Sequence, residues 1–87
     1  MAAALLTQFT KNAAKYLQSL DAPTRARMKK VLGEIAADYL NPRLSLPLPS
    51  SEQRRARVGG YRILLLISNG VLLVTDIASR GQIYKKL

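Results

Sequence analysis

Ile63–Ile67 and Val71–Val74 are two unbroken apolar runs separated by Ser68-Asn69-Gly70, and this arrangement restricts the fold more tightly than any other stretch of the chain. Asn-Gly between strand-forming runs is the strongest short-range hairpin signal, because both central residues of the favoured turn take positive φ. Apolar residues fill consecutive positions in each run, so both faces of each strand are apolar. Such strands belong in the middle of a sheet, covered on both sides. The two runs are too short and too interrupted for a membrane span. Strands are expected at Tyr61–Ile67 and Val71–Ile77.

Cover for one face comes from the N-terminal half. Ala3 to Phe9 reads as a first strand. Thr10 is a suitable N-cap for a helix over Lys11–Leu20, in which Ala13, Tyr16, Leu17 and Leu20 share a face. Asp21-Ala22-Pro23 ends that helix and starts another, with Pro23 in a first-turn position. In the second helix Met28, Val31, Leu32, Ile35, Ala36 and Tyr39 follow helical spacing, while Arg25, Lys29 and Lys30 lie off the stripe. So short a connection makes the pair an antiparallel hairpin. The expected fold class is α+β: an N-terminal strand and an antiparallel helix hairpin packed on a small antiparallel sheet. A length of 87 residues fits one domain over 1–87.

Asn41-Pro42 closes the second helix, and the stretch through Pro47, Pro49, Ser50 and Ser51 is a loop or edge segment, since proline cannot donate to a central ladder. Arg54–Val58 is strand-like and Gly59-Gly60 is a two-residue hairpin turn. That turn sets Val58 against Tyr61 and Arg57 against Arg62. Counting from Asn69-Gly70 sets Arg62 against Ile77 and Leu64 against Thr75, and Ser79-Arg80-Gly81 turns into a terminal segment at Gln82–Lys85.

Side chains alternate along a strand, so Arg55 and Arg57 point the same way as Arg62. Like charges directly opposed on a sheet are destabilising. The arginines are then either edge charges that splay into water and guard against aggregation, or a phosphate-binding patch. The planar guanidinium makes paired bonds to phosphate oxygens and never loses its charge. Tyr84 follows Arg80 closely and is flanked by Lys85 and Lys86. It can stack on a base, assist proton transfer, or simply pack at the rim. Tyr16, Tyr39 and Tyr61 read as packing residues.

Composition narrows the chemistry. Fourteen Lys and Arg against five Asp and Glu give a net charge of +9; because the positions are clustered, this points to a polyanionic partner (nucleic acid, an anionic membrane or an acidic protein) over an evenly spread solubility charge. Cysteine and histidine are both absent. Disulfides, thiolate metal sites and cysteine nucleophiles are thereby excluded, and so is the commonest general base. No metal site and no cofactor are expected. Met1–Leu6 lacks the basic start and long apolar run of a signal peptide, so a cytoplasmic, soluble protein without a membrane partner is expected.

The element order, together with two local signatures, resembles the RelE/ParE superfamily of toxins. One signature is the basic strand, turn and aromatic–arginine step, Arg54-Arg55-Ala56-Arg57-Val58-Gly59-Gly60-Tyr61-Arg62. The other is the terminal Arg80-Gly81-Gln82-Ile83-Tyr84. The resemblance implies a toxin of a type II toxin–antitoxin pair, held inactive by a cognate antitoxin. Members of the RelE branch enter the ribosomal A site and cut mRNA, positioning a nucleotide so that its own 2′-hydroxyl attacks the adjacent phosphate. On that resemblance Arg62 stabilises the transition state, Arg80 is the acid for the leaving oxygen and Tyr84 is the base or orienter. Arg55 contacts the phosphate, and Arg54, Arg57, Lys85 and Lys86 complete an RNA-binding set. Where some ribosome-dependent members carry a lysine this chain has Gln53, and Arg54 or Arg57 is expected to supply the charge.

Two other functions remain open at this level. A ParE-like toxin inhibits DNA gyrase without catalysis and shares the fold and the Arg-Tyr ending. A non-catalytic RNA-binding module would bind RNA in a salt-sensitive way and cleave nothing.

Overall fold

The computed structural model describes residues 4–49 and 51–79. Thr10 opens the helical part as its sequence position implies: its hydroxyl accepts the Ala13 amide at 3.2 Å. The elements are β1 (Leu6–Phe9), α1 (Lys11–Ser19), α2 (Ala22–Ala37), β2 (Leu46–Pro47), β3 (Gln53–Val58), β4 (Tyr61–Ser68) and β5 (Val71–Ser79). Pro23 sits in the first turn of α2, where its missing N–H is no loss. Pro47 lies in the outermost strand, where a proline does least damage to the ladder.

The five strands are ordered β1-β5-β4-β3-β2. β2, β3, β4 and β5 are antiparallel neighbours, while β1 lies parallel to β5, with Leu6 beside Val71 and Phe9 beside Val74. The N-terminal strand thus makes the sheet mixed. As expected, the apolar β4 and β5 are central.

Both helices cover the same face. Ala13 and Leu17 of α1, and Met28, Leu32, Ile35 and Ala36 of α2, form one buried cluster with Ala56, Val58, Ile63, Leu65, Leu72, Val74 and Ile77 of the sheet. Tyr16, Tyr39 and Tyr61 pack against it, and the rings of Tyr16 and Tyr61 meet edge to face at 6.4 Å. No helix among the described residues is long and apolar enough to cross a membrane.

Both glycine turns behave as their sequences require. Asn69 and Gly70 take φ of 51° and 77°, which fits the twist of the flanking strands. The register they launch holds from Ser68↔Val71 to Leu65↔Val74 and then slips at a β-bulge. Leu64 therefore faces Asp76, not Thr75, and Arg62 faces Ala78, not Ile77. The cause is Thr75, an extra residue in β5 held by three hydrogen bonds. Its hydroxyl donates to the Leu64 carbonyl at 3.2 Å and accepts from Gln53 Nε2 at 3.1 Å. Its carbonyl accepts from the Thr10 hydroxyl at 3.0 Å. A bulge of this kind re-aims the residues beyond it, and here it moves Asp76 onto the face opposite the helices.

Candidate nucleic-acid interface

Val58 and Ala56 are buried beneath the helices, so alternation sends Arg55 and Arg57 to the other face. Arg57 stands directly across from Arg62, and Arg55 from Leu64. Arg55, Arg57 and Arg62 therefore converge, as the sequence implied. Val58↔Tyr61 closes the hairpin, which makes Arg57↔Arg62 the following, non-hydrogen-bonded pair, the type in which facing side chains stand closest. Beside them lies an apolar floor: Leu64 is 6% exposed and Ala78 2%, with Leu48 packed against both. Arg55 and Arg62 are half-buried, and Arg57 is exposed. Guanidiniums at the margin of apolar surface face less competition from water than fully exposed ones, which strengthens their pull on an anion.

Arg54 is placed differently. It pairs with Leu65 of the core face, and its guanidinium donates from Nε to the Ser45 hydroxyl at 2.9 Å and from NH2 to the Ser45 carbonyl at 3.0 Å. Ser45, only 2% exposed, donates its own hydroxyl to the Tyr39 carbonyl at 3.1 Å. Arg54 thus fastens β3 to the segment that leaves α2. Replacing it with alanine strips two charge-assisted bonds from a buried serine. The expected loss is about 1–2 kcal/mol, a fall in Tm of roughly 5–15 °C by calorimetry or circular dichroism. Arg55→Ala should leave Tm within a few degrees.

A cleft of about 160 Å³ opens between the Pro42–Leu46 turn and the arginine face, with Arg43, Arg55, Arg57 and Arg62 in its lining. Neither Arg43 nor Asp76 stands out in the sequence. Arg43 sits in a turn far from the basic strand along the chain, and Asp76 reaches this face only through the bulge. Gln53, in the position where a lysine occurs in some relatives, is occupied in holding that bulge. Arg80, Tyr84, Lys85 and Lys86, with the segment Gln82–Lys85, lie outside the described residues. Among the described residues no group of three or more His, Cys, Asp or Glu is placed to hold a metal ion.

The fold has close relatives in shape. A chain of the toxin–antitoxin complex RelBE2 from Mycobacterium tuberculosis superposes with a TM-score of 0.77 at 23% identity, covering 90% of this chain and 100% of that one. The archaeal RelE–RelB complex from Pyrococcus horikoshii gives 0.77 at 20% identity over 92% of this chain and 99% of that one. A mutant of the E. coli toxin RelE in the free state gives 0.75 at 19% identity, over 95% and 90%. At these identities the likeness is one of fold. No curated protein sequence gives a significant match. The model of the family described as ParE toxin of the type II toxin–antitoxin system parDE matches residues 7–84. With nearly the whole chain matched and the strand order and helical cover in agreement, this protein belongs to the ParE toxin family, within the RelE/ParE superfamily, and is a toxin of a type II toxin–antitoxin pair.

Proposed function

We propose that this toxin is a ribosome-dependent endoribonuclease that cuts mRNA in the A site, as RelE-branch toxins do. The observation that carries the reading is the convergence of Arg55, Arg57 and Arg62 on one face, with Arg57 directly opposite Arg62. Asp76 lies on the same face, but the three arginines outnumber it, so the face keeps a net positive charge that attracts a polyanion. In this reading Arg55 and Arg57 grip the backbone, and Arg62 faces the scissile phosphate. The 2′-hydroxyl oxygen attacks phosphorus, the bond to the 5′-oxygen of the next nucleotide breaks, and a 2′,3′-cyclic phosphate and a 5′-hydroxyl result. Arg62 stabilises the charge on the phosphorane oxygens. Tyr84, as its phenolate, takes the 2′-hydroxyl proton, and Arg80 hydrogen-bonds the leaving 5′-oxygen while that oxygen takes a proton from water, so the guanidinium keeps its charge. Lys85 and Lys86 add attraction for RNA. Arg54 enters as the brace of β3. Preorganised cations supply most of such a rate, so the absence of histidine is no obstacle, and the ribosome supplies the substrate geometry. The cognate antitoxin silences the toxin by covering this face with acidic or apolar groups.

A second reading follows from the description of the matched family: a ParE-type toxin that inhibits DNA gyrase, with the arginine face as a binding surface. Running both assays on the same preparation separates the two. Purified toxin is added to a translating extract, where new mRNA 5′ ends are mapped by primer extension, and to gyrase in a supercoiling assay. Codon-phased ends that require ribosomes, with supercoiling untouched, are expected. Blocked supercoiling without new ends would reverse the assignment.

A further inference from the structure

The cleft beside β3 is not explained by a single scissile phosphate. It runs from the arginine face to the outer edge of β3: Arg55, Arg57 and Arg62 line one side and the Pro42–Leu46 turn the other, a span wider than one phosphate group. That turn is fixed in place. The Asn41 carbonyl accepts the amides of Leu44 at 3.0 Å and Ser45 at 3.2 Å. The Asn41 side chain accepts the Arg43 amide at 3.0 Å and donates to Asp38 at 3.1 Å. Arg54 and Ser45 fasten the turn's far end to β3 and to Tyr39. Arg43 is thus presented from a rigid base across the cleft from Arg55, Arg57 and Arg62, a preorganisation that spares an anion the cost of ordering the loop.

The backbone contributes as well. The Leu48 amide donates to the Gln53 carbonyl at 2.9 Å, which sets the alternation along β3: the peptide groups of Gln53, Arg55 and Arg57 face the β2 side. β2 begins at Leu46, opposite Arg55. The N–H of Arg57 therefore points past the start of β2 into the cleft.

We propose that this cleft is a second phosphate subsite, in which Arg43, with the side chain and amide of Arg57, holds a phosphodiester of the single-stranded RNA next to the one facing Arg62. This rests on the RNA reading of the arginine face. Guanidiniums from two walls and an edge N–H match a tetrahedral oxyanion with several acceptor oxygens. Arg43 is here a binding residue that sets the path of the strand and takes no part in proton transfer.

The test uses full-length toxin and a short single-stranded RNA carrying 2′-O-methyl groups throughout, which cannot be cut, with affinity followed by fluorescence anisotropy across a salt series. Arg43→Ala is expected to weaken binding about tenfold and to flatten the log–log salt slope by about 0.7, the value for one lost phosphate contact on a single strand. Arg43→Lys should restore the slope and only part of the affinity, because it keeps the charge without the fork. Lys29→Ala, which removes the same charge from an exposed position on α2, should stay within twofold of the unmodified protein. Unchanged affinity in Arg43→Ala, an equal loss in Lys29→Ala, or no RNA binding by the unmodified protein would each overturn the subsite. So would an Arg43→Ala defect seen with a polyglutamate peptide and not with RNA, which would make the cleft a docking site for acidic protein. A subsite lost with Arg43 in a toxin that cuts no mRNA would leave this inference standing and remove the endonuclease reading.

Discussion

Replacing Arg62 with alanine is expected to reduce A-site cleavage by about 100- to 1,000-fold, the usual cost of removing one preorganised donor from a developing oxyanion. The same variant should stay within about 1 kcal/mol of the unmodified toxin. Relieving the like-charge contact with Arg57 returns a few tenths of a kcal/mol to about 1 kcal/mol, set against the interaction that Arg62 makes within the fold. Its half-buried position places it beside Leu64 and Ala78, so the stem also covers apolar surface and limits any gain. Arg62→Lys should fall between, since an ammonium keeps the charge and loses the paired geometry. Single-turnover cleavage on programmed ribosomes, with thermal melts of the same preparations, gives both numbers. A parallel fall in activity and Tm would mean that Arg62 serves the fold.

The largest effect on stability is expected from Leu65→Ala. Leu65 lies in β4, is fully buried, and belongs to the cluster shared by the helices and the sheet. Truncating a buried leucine removes transfer energy and leaves a cavity that surrounding strands fill only in part, a loss of about 2–5 kcal/mol. A chain of this length has roughly 4–13 kcal/mol in total, so the variant should melt on the order of 10–30 °C lower. The neighbouring Leu66 is half-buried and faces the other way. Leu66→Ala should therefore cost about half as much or less. Denaturant melts of the pair report on the helix-covered face directly, because one residue along a strand exchanges core for surface.

Much of this architecture could be read from local sequence. Asn69-Gly70 and Gly59-Gly60 are turns in which Gly59 and Gly70 take the positive φ that glycine adopts most readily, and they fix the pairing of β3 with β4 and the first half of β4 with β5. Alternation then places Arg55, Arg57 and Arg62 together. It also separates Arg54 from them, but its partner Ser45 lies in a loop that no periodicity describes. What stayed hidden depends on contacts between distant parts of the chain. The slip at Thr75 is held by Thr10 from the start of α1 and Gln53 from β3, and no nearby residue announces it. The parallel place of β1 beside β5 joins opposite ends of the sequence. Arg43 joins the arginine face because the chain returns after α2 to lay β2 along β3, a path that Pro42 permits without specifying.

In the proposed reaction the protein supplies cations and the RNA supplies its own nucleophile. A synthetic mRNA carrying a single 2′-deoxynucleotide at the cleaved position, loaded on ribosomes with the A site empty, tests this most directly. Cleavage of the all-ribose message, leaving a 2′,3′-cyclic phosphate, and none of the deoxy-substituted message is the result this account requires. Equal cleavage of both would mean that water or a protein group attacks the phosphate, and no cleavage of either would leave the arginine face a binding surface alone.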